Sequence, residues 1–164
     1  MRRFAFILAL FAVAATFTAG PAFGAAKGTD RPQRGTSTST TTVDVSTGTG
    51  AVAGSGQLSH LGRFDFTNDI TSFTLTGPDT FTLTLTAVIV AANGDEIHTT
   101  AVGTGTLTAT GSEGTLVSTA VGGTGRFADA SGTTTTRITS VVVSMDGSTI
   151  TTSDREVHEG RISY

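Results

Sequence analysis

The chain has 164 residues, no cysteine and a formal charge of −3; threonine makes up about a fifth of it and glycine is abundant. Without cysteine there can be no disulfide, no lipid-modified cysteine anchor and no thiolate metal site. The few basic residues beyond the N-terminus, Lys27, Arg31 and Arg34 first among them, are scattered, which argues against nucleic acid as a partner.

Residues 1–24 read as a secretory signal peptide. Met1-Arg2-Arg3 gives a short positive start, the apolar run Phe4 to Phe17 follows, and Ala22 and Gly24 are small residues at a cleavage site. Cleavage is expected before Ala25, with Lys27 as the alternative. The run is shorter than the roughly 20 residues of a spanning helix, so no membrane span is expected after cleavage. Loss of Arg2 and Arg3, with no acid in the same segment, moves the formal charge from −3 to −5. The expected location is secreted or periplasmic.

Residues 25–42 carry no apolar side chain larger than Ala. Little area can be buried there to offset the entropy of ordering. The expectation is a flexible tether, with extension of the first strand by the Ser/Thr run as the alternative.

From residue 43 to 164 the period is two, the signature of half-buried strands. Val43 and Val45 begin it. Leu58, His60, Phe64 and Phe66 share one phase, and Arg63 and Asp65 the other. Phe73 and Leu75 follow. Phe81, Leu83, Leu85, Ala87 and Ile89 form the clearest one-sided strand, and Asn93-Gly94-Asp95 after it is a hairpin signal. Ile97, Ala101, Leu107 and Ala109 return, then Leu116 and Val121. Ile138 and Val141 to Val143 lead to a second hairpin at Asp146-Gly147, and Ile150, Ile162 and Tyr164 belong to the last strand. No helical period is present after residue 24. Mainly β-branched and glycine-rich composition with short turns predicts an all-β antiparallel meander. An up-and-down barrel of about eight strands is expected, because closure removes edges; a β-sandwich is the alternative. Phe64, Phe73, Leu83, Leu85, Phe127 and Ile162 are the expected core.

The segment Val121-Gly122-Gly123-Thr124-Gly125-Arg126-Phe127-Ala128-Asp129-Ala130-Ser131-Gly132 reads as a tight corner. Gly122, Gly123, Gly125 and Gly132 would allow positive φ or close backbone approach, and Phe127 would turn into the core. It also contains Gly-x-Gly-x-x-Ala, but a dinucleotide site needs a following helix, and none is predicted.

This segment resembles the Gly-Gly-Thr-Gly-x-Phe-x-x-Ala-x-Gly stretch of the allene-oxide-cyclase and dirigent barrels. Ser59-His60-Leu61-Gly62-Arg63-Phe64, Ala92-Asn93-Gly94-Asp95-Glu96 and Gly160-Arg161-Ile162-Ser163-Tyr164 are further points of similarity to small bacterial secreted proteins of unknown function. The resemblance implies an eight-stranded barrel, often a homo-oligomer, and leaves the activity open.

The chemistry-bearing residues are sparse. His60, His98 and His158 lack metal-site spacing, so no metal and no cofactor are expected. By phase, His60 and His158 point inward and His98 outward. In the run Asp154 to Arg161, Glu156 and His158 share one face. The pair could do general acid–base work, but cross-strand ion pairing on a solvated face is the simpler expectation. His60, Arg63, Glu96 and His158 are the candidate ligand-binding residues, with His60 the favoured anchor, and no catalytic residue is assigned. The expected function is non-catalytic binding of a small apolar ligand or a partner. A structural or adhesive surface module and an isomerase or cyclase with a barrel-shaped pocket are the alternatives.

Overall fold

In a computed structural model, which describes residues 29–164, eight antiparallel strands close into an up-and-down barrel. The strands are β1 (Arg31–Asp44), β2 (Thr49–Leu58), β3 (Gly62–Leu75), β4 (Thr80–Ala91), β5 (Glu96–Leu107), β6 (Gly111–Gly123), β7 (Ser131–Asp146) and β8 (Thr149–Ser163). A single 3-10 turn, Gly125–Phe127, lies between β6 and β7. Each strand pairs with its sequence neighbours, and β1 pairs with β8 to close the ring. The barrel is therefore the architecture, and the sandwich is not. Residues 1–24, the expected signal peptide, and the first residues of the expected tether lie outside the described residues.

Most of the expected tether is strand. Residues 31–42 belong to β1, which is paired on both edges: with β2 over Gly35–Asp44 and with β8 over Arg31–Asp44. The alternative, extension of the first strand, is what forms here, because burial of polar side chains with partners replaces the missing apolar burial. The inward side chains of β1 are Gln33, Ser37 and Ser39, all buried, then Thr41 and Val43. Their polar atoms find partners inside the barrel, and the backbone is satisfied by two ladders, which meets the cost of burying polar groups.

Outside the polar inward stretches of β1, β7 and β8, the period-two pattern gives an apolar interior, and around the barrel it gives a hydroxyl-rich exterior. Val52, Leu58, Phe64, Phe66, Ile70, Leu85, Ile97, Ala101, Leu116 and Ile162 point inward into one core. Thr36, Thr38, Thr67, Thr84, Thr86, Thr115, Thr133 and Thr135 face out. This is the reverse of a barrel that spans lipid, whose outer band is apolar. Glycines in β2 accommodate two of the three inward phenylalanines of β3. A Cβ at Gly54 would meet the Phe66 ring at 2.6 Å, and one at Gly56 the Phe64 ring at 2.9 Å.

The two ends of the barrel differ. One carries the β2–β3 and β4–β5 turns, the 124–130 segment and Tyr164. It is plugged by Phe127, which has no exposed surface, together with Leu61, Ile97 and Ala130. The Phe127 and Tyr164 rings meet edge to face, 4.7 Å between centroids. The glycine corner makes this plug possible. Gly125 has φ +52, and a Cβ there would collide with the Asp95 carboxylate; Gly123 leaves no room for a Cβ beside the Glu96 carbonyl. The other end carries the remaining four turns and is open. Val45, Leu75, Leu107 and Val142 stand exposed or half-exposed around it. The β7–β8 hairpin rises above this rim, because β6 pairs with β7 only as far as Gly111↔Val141. A bulge between Val142 and Ser144 leaves Val143 and Met145 two-thirds exposed at the hairpin's tip.

Phe64, Leu85, Phe127 and Ile162 are buried as expected. Phe73 and Leu83 are only partly buried, because they line the open half of the lumen rather than the plug.

Candidate functional site

The lumen holds a cavity of about 230 Å³. Apolar side chains from β3, β4 and β6 form one wall, among them Phe66, Ile70, Phe73, Phe81, Leu83, Leu85 and Leu116. The opposite arc, where β7, β8 and β1 run side by side, contributes Thr134, Thr136, Asp154, Glu156, His158, Gln33 and Thr41. One face of the lumen is therefore oil-like and the other is polar.

The polar arc is a continuous buried network. Along β8, alternate residues point inward, so Asp154, Glu156 and His158 stand in a row. They are only 4%, 6% and 9% exposed. Antiparallel pairing with β1 brings Ser39 opposite Asp154 and Ser37 opposite Glu156. Ser37 Oγ lies 2.6 Å from Glu156 Oε2 and 2.7 Å from His158 Nε2. Ser39 Oγ lies 2.7 Å from Glu156 Oε1 and 3.2 Å from Asp154 Oδ2. Thr41 and Thr152 donate to the two Asp154 oxygens at 2.5 and 2.7 Å. On the β7 side, Thr136 Oγ1 is 2.8 Å from His158 Nδ1.

A hydroxyl has one proton to give. The network closes when Ser37 donates to Glu156, His158 donates from Nε2 to Ser37, and Thr136 donates to Nδ1. Burial lowers the His158 pKa to about 4, so the imidazole is neutral near pH 7 and its 3.5 Å approach to Glu156 is not an ion pair. Burial pushes the Glu156 carboxyl upward, and the nearby Asp154 adds to this; the Ser37 and Ser39 hydroxyls oppose it. Phe64 stands edge-on to the imidazole at 6.2 Å between centroids.

This arrangement is a poor nucleophile. The Ser37 proton is directed at Glu156, and His158 Nδ1 faces a threonine rather than a carboxylate. The group that would orient and stabilise an imidazolium in a hydrolytic triad is missing from its place. What the network does supply is a set of fixed hydrogen-bond acceptors on the edge of an apolar cavity.

Of the four candidate residues read from the sequence, the structure brings only His158 into the lumen. His60 is exposed in the β2–β3 turn with φ +71, and its carbonyl accepts from Arg126 Nη2 at 3.3 Å. The turn breaks the alternation that placed it in phase with Leu58 and Phe64. Arg63 is exposed on the outer face of β3. Glu96 lies on the outer face of β5, partly exposed, 2.9 Å from His98 Nε2. His98 thus faces out, as its phase indicates.

The C-terminal charge run divides between the faces. Its outer residues form the expected exposed ion pairs, Arg34–Glu159 and Arg161–Asp30. Glu156 and His158 do not lie on a solvated face, because their phase is that of Ile162 and of the lumen. Ser37, Ser39, Thr41, Asp154, Thr136 and Asn68 were missed as lumen residues. The signal for Asp154 was its phase with Ile162; the β1 serines could be found only by knowing that β1 closes the ring. Among the described residues, no group of three or more His, Asp or Glu side chains is placed to hold a metal ion.

No protein-family model, curated protein or solved structure matches this chain.

Proposed function

We propose that this protein is exported and that its barrel binds a small, largely apolar molecule in the lumen without transforming it. One observation carries this reading: a cavity of about 230 Å³, plugged at one end by Phe127 and open at the other, with an apolar wall facing a fixed polar arc. An apolar protein cavity of about 150 Å³ is enough to take benzene, and ligand sites are characteristically concave and apolar with a few fixed polar groups. The polar anchor of this reading is His158 and its neighbours rather than His60. Kinship with the allene-oxide-cyclase and dirigent barrels is part of the proposal. It is supported by the closed eight-stranded meander and by the glycine corner that seats Phe127.

The test is an NMR titration of methyl-labelled protein with indole. Shifts confined to the methyls of Leu83, Leu85, Ile70 and Leu116 support the reading. Gly103 faces the lumen, where an added Cβ would stand 3.1–3.3 Å from Leu116 and Leu83 side-chain atoms. Gly103→Leu should fill this region and abolish the shifts. Shifts spread over the outer face, unchanged by Gly103→Leu, would favour a structural surface module instead.

A further inference from the structure

The proposed lumen site has a chemical bias that narrows its occupant, and this inference rests on the lumen-binding reading. Asp154 and Glu156 are buried side by side and share the Ser39 hydroxyl. Their hydrogen-bond partners are neutral hydroxyls from Ser37, Ser39, Thr41 and Thr152. The one guanidinium bordering the cavity, among the described residues, belongs to Arg161. It is turned outward, more than half exposed, and bound to Asp30 at 2.6 Å. Two carboxyl groups thus face an apolar cavity with no cationic partner. Buried carboxylates are ordinarily paired.

Asn68 supplies an independent sign. It lines the same cavity from β3, its Oδ1 is fully buried, and that oxygen has no hydrogen-bond partner. A buried acceptor without a protein donor is rare, and a donor entering the cavity would satisfy it. The hydroxyl protons of Ser37, Ser39, Thr41 and Thr152 are committed to the carboxylates, and those of Thr134 and Thr136 to Gln33 and His158. Around the carboxyl pair the hydroxyl donors are therefore already in use.

We infer that the occupant is a small hydrophobic amine, bound as its ammonium ion with the charge at Asp154 and Glu156 and the apolar body against Phe66 and Leu85. An ammonium group carries three donors and no acceptor, which suits a carboxyl pair that has hydroxyl partners but no cation, in a cavity that also presents the unpartnered Asn68 Oδ1. A fatty or aromatic carboxylate brings a like charge and no donor, and an alcohol brings one donor and no charge.

The experiment is calorimetric titration of the folded protein at pH 7 with three probes of similar skeleton: 2-phenylethylamine, 2-phenylethanol and phenylacetate. The amine should bind tightest, about tenfold or more over the alcohol, with phenylacetate weakest. Asp154→Asn, checked for folding by circular dichroism, should bring the amine close to the alcohol. An alcohol or carboxylate that binds as well as the amine to wild type would overturn the ammonium assignment and leave the lumen site standing. Absence of binding by all three to a folded barrel would remove the lumen site itself. The wild-type comparison decides the matter even if Asp154→Asn does not fold.

Discussion

Ser37 Oγ and His158 Nε2 meet at 2.7 Å inside the barrel, where the first strand closes against the last. The contact joins a polar, glycine- and threonine-rich segment to the charged C-terminal run. It makes both of them part of the core. Removing the Ser37 hydroxyl leaves Glu156 and His158 each short of a partner. Ser37→Ala should therefore destabilise the protein by about 1–3 kcal/mol, the cost of stranding buried polar groups. Urea unfolding followed by circular dichroism measures it. A change within a few tenths of a kcal/mol would show that the network does not hold the seam.

Deletion of residues 29–40 tests the same seam at the level of the backbone. It removes most of β1 and leaves edges of β2 and β8 unpaired. The expected result is loss of the cooperative thermal transition or aggregation through the open edges. A truncated protein with an unchanged melting temperature would return this segment to the status of a tether.

His158 makes stability depend on pH. Its pKa is about 4 in the folded protein against an ordinary 6.5. Below pH 6.5 the unfolded chain binds a proton that the folded one refuses, so the stabilisation present above pH 6.5 is lost as pH falls toward 4. The full difference is on the order of 3 kcal/mol. Glu156 acts with the opposite sign: its raised pKa means that stability falls as pH rises above its ordinary value of 4.5. In His158→Gln the acid-side loss should be reduced and the Glu156 contribution exposed. Denaturant midpoints from pH 4 to 7.5 in both proteins check this. Identical profiles would contradict the burial of a neutral imidazole.

The plug predicts a large packing effect. Phe127 is fully buried against Tyr164, so Phe127→Ala should cost about 3–5 kcal/mol. Gly125→Val combines a positive φ with a collision at Asp95 and should also destabilise the fold, as read by thermal unfolding. A near-neutral Phe127→Ala would mean that this end of the barrel is not closed by its side chain.

Much of this architecture was legible in the residues. Alternation in Phe81 to Ile89 gave the inward face of β4. Asn93-Gly94 and Asp146-Gly147 marked turns in which Gly94 and Gly147 have positive φ. The glycine corner around Phe127 announced a buried aromatic. The site was less legible, for two physical reasons. Inward-facing Ser37, Ser39 and Asp154 look like surface residues, because alternation identifies a core only when the inward face is apolar. His60 looked inward because phase was carried through a turn, where its left-handed backbone resets the alternation. The identity of the polar arc depends on β1 pairing with β8 across more than a hundred residues, and no local pattern reports such a contact.

Export is tested separately. Mass spectrometry of the protein recovered outside the cytoplasm should show an N-terminus at Ala25 or Lys27. An intact Met1 in a soluble cytoplasmic form would contradict the proposed location.

The most direct test of the lumen reading is a crystal structure of the protein grown with indole. Ordered density is expected inside the barrel, in contact with Phe66, Leu85 and Leu116, while the β1–β8 network keeps its hydrogen bonds. A lumen filled by its own side chains, with indole absent or bound only on the outer face, would contradict it.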